Sequence, residues 1–151
     1  MADYTPVYIS GRTLTLTASV ACFGGDILEV SGSGTVRPFV PGATPSAKVI
    51  GVAMDDVPVN GRVTVSGFGP VHESVADGTV TAGDQIVTAT NASRQVRSLA
   101  VSGIDVGSSF VQATVNTAIN AGLNNIRSIL GVALTTAADG LKVRWMQAVT
   151  G

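Results

Sequence analysis

Charge is scarce in this chain of 151 residues: Asp, Glu, Lys and Arg make up 13%, against roughly 25% in an ordinary soluble domain. The 9 basic and 10 acidic residues nearly cancel, to a net charge of -1, and no basic stripe or acidic tail stands out. That argues against nucleic acid and anionic membrane as partners, since both are held by clustered cations. Lysine occurs twice, as Lys48 and Lys142. So little charge means either a Thr/Ser-rich wet surface or one covered in an assembly, and we carry the second reading forward. Cys22 is the lone cysteine, which excludes an intrachain disulfide and a cysteine-based zinc cluster. It lies in the apolar run Val20-Ala21-Cys22-Phe23 and reads as a small core side chain. Aromatics are only 5%, too thin for a stacking platform on sugars or single strands. No apolar run approaches the ~20 residues of a membrane-spanning helix. The first residues lack the charged and apolar regions of a signal peptide, so synthesis and residence in a cytosol-like compartment are expected.

Glycine and β-branched residues are abundant instead. In Arg12-Thr13-Leu14-Thr15-Leu16-Thr17-Ala18 the leucines and Ala18 share one face and the threonines the other, as in a strand with one wet face. Arg62-Val63-Thr64-Val65-Ser66 and Lys142-Val143-Arg144-Trp145-Met146 repeat the alternation. Between such runs stand turn signals, among them Gly24-Gly25-Asp26, Asn60-Gly61, Asp77-Gly78 and Asp139-Gly140. The pattern predicts an all-β chain, a compact barrel or sandwich.

The strands come twice, in one order. Gly25-Asp26-Ile27-Leu28 is echoed by Gly83-Asp84-Gln85-Ile86, and Gly34-Thr35-Val36-Arg37-Pro38 by Arg94-Gln95-Val96-Arg97-Ser98. Ile50-Gly51-Val52-Ala53-Met54 is echoed by Leu130-Gly131-Val132-Ala133-Leu134, and each is followed by a turn and a strand. The organisation expected is an extended arm at 1–10 and one β domain over 11–151, with repeats at about 11–67 and 68–151. From Gly25 to Gly51 is 26 residues and from Gly83 to Gly131 is 48, so the second copy carries 22 more, within 100–125. There Ser108-Ser109 can cap a short helix with Val111, Val115, Ala118 and Ile119 as its apolar positions and Gly122 as its end. The β-branched residues of that stretch leave an extended excursion as the alternative. The paired Gly-Val-Ala segments read as places where backbones approach closely.

A catalytic apparatus is hard to assemble. His72 is the single histidine, and no Gly-x-Ser-x-Gly elbow accompanies it. It reads as a surface or interface residue whose loss is nearly silent. The pair Asp55-Asp56 is matched by Thr135-Thr136 in the second copy, which favours a solvated turn over a cation or shared-proton site. Asp26 and Asp84 read as turn caps. No phosphate loop is present. No enzyme activity, cofactor, metal or small-molecule substrate is expected. Protein contact is expected at two places. One is the arm, through Tyr4, Pro6, Val7, Tyr8 and Ile9, which either adds a strand to a neighbour or completes the chain's own sheet. The other is the insertion, through Ile104, Phe110, Val111 and Ile119.

The series Leu14-Thr15-Leu16-Thr17-Ala18, Gly24-Gly25-Asp26, Ile50-Gly51-Val52-Ala53 and Gly61-Arg62-Val63-Thr64-Val65-Ser66-Gly67 resembles the capsid decoration, or cement, proteins of tailed bacteriophages. Val80-Thr81-Ala82-Gly83-Asp84, Leu130-Gly131-Val132-Ala133-Leu134 and Gly140-Leu141-Lys142-Val143-Arg144 extend the likeness, which covers roughly residues 11 to 146. The resemblance implies a β-barrel-like fold and a virion protein on the outer capsid surface, made in the host cytoplasm. It also implies the major capsid protein as partner, homotrimers, and no catalytic residues. The arm and the insertion depart from the shorter members. Another virion component, such as a head-fibre base or a tail accessory protein, is the competing reading. A carbohydrate-binding module ranks below it for want of aromatics, and a hydrolase resembling dUTP pyrophosphatases last for want of a catalytic motif.

Overall fold

A computed structural model describes residues 13–67, 69–100 and 112–148. Five strands come first: β1 (Thr13–Ala18), β2 (Ile27–Gly32), β3 (Thr35–Pro38), β4 (Val49–Ala53) and β5 (Arg62–Ser66). The second copy supplies β6 (Val71–Ala76), β7 (Gln85–Thr88), β8 (Gln95–Ser98), β9 (Gly131–Ala133) and β10 (Lys142–Gln147), with helix α1 (Gln112–Arg127) between β8 and β9. Each set closes into its own barrel, in the order β1-β3-β2-β4-β5 and β10-β6-β8-β7-β9. The expected all-β class holds, as two barrels and one helix.

The repeat holds strand by strand. β1 runs parallel to β3 with Ala18 opposite Val36, and β6 runs parallel to β8 with Ala76 opposite Val96. Leu28 faces Gly51 in the first barrel, and Ile86 faces Gly131 in the second. The isolated bridge between Cys22 and Val57 recurs between Val80 and Ala137. The core of the first barrel (Ala18, Cys22, Leu28, Val36, Ala53, Val63, Val65) therefore maps onto Ala76, Val80, Ile86, Val96, Ala133, Val143 and Trp145 of the second. One detail moves by a residue: the left-handed turn positions are Asn60 (φ 63°) and Gly140 (φ 76°), so Asn60 corresponds to Gly140 and Gly61 to Leu141.

Turn chemistry repeats with different side chains. Asp26 Oδ2 accepts the Phe23 amide at 2.8 Å, and Asp84 Oδ2 accepts that of Thr81 at 2.8 Å, as capping predicts. The pair Asp55-Asp56 is not a loosely solvated turn. Asp55 accepts the Thr64 amide at 3.1 Å and Asp56 that of Gly24 at 2.7 Å. Thr135 and Thr136 accept the amides of Arg144 and Ala82 at 2.9 and 3.1 Å. A hydroxyl and a carboxylate are interchangeable there because only a lone pair is needed.

The barrels are joined through unlike surfaces. Ile27, Phe39 and Val52 point out of the first barrel and belong to the apolar cluster of the second. Their counterparts Gln85, Leu99 and Val132 are exposed or half-buried. Across the joint the Ile27 amide donates to the Ser93 carbonyl at 3.0 Å. Asp26 Oδ1 accepts from Ser93 Oγ and Arg94 Nε, both at 3.0 Å. The loop before β4 adds the Ser46 amide on Thr88 Oγ1 at 2.9 Å and the Ala43 carbonyl on Arg97 Nη2 at 2.8 Å. Asp26→Ala thus strands three donors, and is expected to destabilise by about 2–3 kcal/mol in urea unfolding followed by Trp145 fluorescence. Asp84→Ala, which opens only its own turn, is expected to cost about 1 kcal/mol. Equal costs would remove Asp26 from the joint.

Candidate interaction surfaces

The single histidine, which any catalytic reading would turn to first, lies in the core. His72 is fully buried inside its barrel, against the surface or interface position expected of it. Its Nε2 lies 3.1 Å from Gln147 Oε1, and its ring sits 5.1 Å from that of Trp145, the residue opposite it on β10. The alternation of β6 turns His72 and Ser74 inward, where Ser74 Oγ accepts Trp145 Nε1–H at 3.0 Å. Burial pushes the imidazole down to about 4, a shift partly opposed by the bond to Gln147. A base so weak, wedged under a tryptophan, is a core residue. Cys22 is likewise inert: burial first, and the Asp26 charge second, push its thiol up to about 11.

The exposed charges make small local sets. Glu73 meets Lys142 Nζ at 2.7 Å and Arg144 Nε at 3.4 Å on the outer face of β6 and β10. The Lys142 hydrogen bond leads the causes that hold its carboxyl below the usual value. Asp77 is lowered as well, chiefly by the Thr90 hydroxyl. Buried Glu29 binds Arg37 Nε at 2.9 Å and Ser46 Oγ at 2.6 Å, tying the loop before β4 to β2. Among the described residues no group of three or more His, Cys, Asp or Glu side chains is placed to hold a metal ion.

What the surface offers is apolar contact. Phe23 and Val59 are about half exposed on the first barrel, and Leu134, Leu141 and Met146 are exposed on the second. Of the residues expected to contact a partner, Tyr4, Pro6, Val7, Tyr8 and Ile9 lie outside the described residues, with the rest of the 1–10 arm, as do Ile104, Phe110 and Val111. Ile119 is described, on α1 and 46% exposed. The helix is longer than expected and does not stop at Gly122. It runs on to Arg127, exposing Leu123 and Ile126 as well. A glycine inside an exposed helix costs only about 1 kcal/mol, too little to end it when good turns follow.

No protein-family model matches the sequence, and no curated protein does. The fold does have a solved counterpart. The chain is similar to the head fiber gp8.5 N base of bacteriophage phi29, with a TM-score of 0.50 at 13% identity over 91% of this chain and 93% of that one. The similarity spans both barrels, and at that identity it is a likeness of fold.

Proposed function

We propose that this chain is a structural protein of a phage virion, associated with the head, that works by protein contact and not by catalysis. The observation that carries the proposal is the fold shared with a head-fibre base over nearly the whole of both chains. The low charge and the exposed apolar side chains support it. In the finer reading the chain is a decoration, or cement, protein: it sits on the outer capsid surface as a homotrimer and bridges neighbouring copies of the major capsid protein. Many weak contacts repeated by symmetry then add up to firm attachment. The second reading makes it the base of a head fibre, and the phi29 likeness favours that reading equally.

Mixing the purified chain with heads that lack it tests both. Co-sedimentation is expected; its absence would sink the head-bound reading. A cement protein also raises the temperature at which decorated heads rupture, whereas a fibre base leaves it unchanged. Deleting residues 1–10 is expected to weaken head binding by ~10-fold or more, because each lost contact is multiplied by symmetry. The melting temperature is expected to shift by no more than about 2 °C, as for a segment outside the core. The reverse outcome would make the arm part of the barrel.

A further inference from the structure

The helix α1 is amphipathic the wrong way round for a helix that serves its own barrels. Thr117, Ala121 and Asn124 fall on one side, and with Asn120 and Asn125 they line a cleft against the chain's own Ala43-Thr44-Pro45 loop. The opposite side carries Val115, Ile119, Gly122 and Ile126, with Leu123 beside them. Ile119, Leu123 and Ile126 are 46%, 54% and 63% exposed, so from Ile119 onward the apolar side looks away from the molecule, while Val115 is half-buried. A lone helix of 16 residues with several β-branched positions is marginal in water, and its stability has to come from packing an apolar face.

We infer that this face is a seam between copies of the chain, in which α1 packs along the α1 helices of its symmetry mates. Three observations select a second copy as the occupant. The spacing of Val115, Ile119, Gly122 and Ile126 is four, three and four, a narrow stripe along one helix face that a like helix can match side by side. Gln112 to Ile126 contains no charged residue, so identical helices side by side meet no like-charge repulsion and offer no charge to a foreign groove. Gly122 at the seam lets two helix backbones approach closely without a side chain between them. The inference rests on the assembly reading above and gives it an address, in the insertion that the first repeat lacks.

The test uses the full chain. Sedimentation equilibrium is expected to show a concentration-dependent mass above the 15.2 kDa of one copy. Ile119→Asp with Ile126→Asp is expected to weaken association by at least ~100-fold, since two apolar side chains per copy leave the seam. Unchanged Trp145 emission in that variant keeps the barrels out of the result. A short bismaleimide is expected to link Ile119→Cys copies to one another and not Thr117→Cys copies, with buried Cys22 silent in both. Association that survives the double substitution, or equal linking at both positions, would overturn the seam and leave the assembly reading standing. A mass of one copy at ~100 μM, far above an ordinary oligomer's dissociation constant, would overturn the seam and the self-assembly together. If the double substitution then abolished head binding, the face would belong to a capsid protein.

Discussion

Gly131→Ala is expected to destabilise the protein by about 3 kcal/mol or more, although it adds a single methyl group. A Cβ at Gly131 would overlap the Met146 carbonyl oxygen and crowd the Met146 carbon and Gln147 Cα. All three are backbone atoms of β10, held in place by the pairing of Gln147 with Gly131 and Met146 with Val132. No rotamer relieves the clash, so strand β9 must move away from β10 and open the barrel. Gly51→Ala meets the same obstacle in the Ser66 carbonyl and the Val65 side chain. The cause is space, since neither glycine has a left-handed φ. Gly42→Ala is the control: a Cβ there meets nothing within 4 Å, and the change is expected to stay within about 0.5 kcal/mol. Urea unfolding followed by Trp145 fluorescence checks all three, and an equal response at Gly131 and Gly42 would refute the crowding argument.

Stability is expected to fall steeply between pH 6.5 and about 4, with His72 responsible. The unfolded imidazole takes a proton near pH 6.5, whereas the folded one resists until about 4. Between those values the unfolded state holds more protons, so lowering the pH favours unfolding. The slope is about 1 kcal/mol per pH unit and the whole loss at most about 3 kcal/mol. His72 is the only histidine, and the carboxyls of Glu73 and Asp77, both lowered in the fold, add a loss of the same sign only toward the acid end of the window. His72→Gln, which cannot be protonated, is expected to flatten the urea midpoint between pH 5 and 7 even though it lowers stability overall. The same slope in that variant would assign the effect elsewhere. A buried histidine also means that His72→Ala is not silent: it removes a ring packed on Trp145 and the partner of Gln147.

Much of the fold was legible because turns and close approaches tolerate few residue types. Gly25 and Gly83 take positive φ, Asp26 and Asp84 cap, and Gly51 and Gly131 leave room for a backbone, so the duplication showed through the drift in the rest. The burial of His72 was not legible, since β6 alternates Val-His-Glu-Ser-Val-Ala and turns two of its polar residues, His72 and Ser74, to the core. The joint between the barrels was hidden too. Ile27, Phe39 and Val52 look like ordinary strand residues until they are set against Gln85, Leu99 and Val132, where outward apolar groups in one copy meet a plainer set in the other. For α1, local propensity located the helix and misjudged its end, because nothing after Gly122 is costly enough to stop it.

The joint between the barrels has one more consequence. Had like faces met, the chain would carry an internal dyad, and whatever one barrel recognised the other would recognise as well. Joined instead through unlike faces, two nearly interchangeable barrels become an object with a direction: the Ile27–Phe39–Val52 face of the first is covered, and the Gln85–Leu99–Val132 face of the second is left exposed or half-buried. Duplication here doubled the scaffold without doubling the surface, which left each barrel free to acquire its own neighbour.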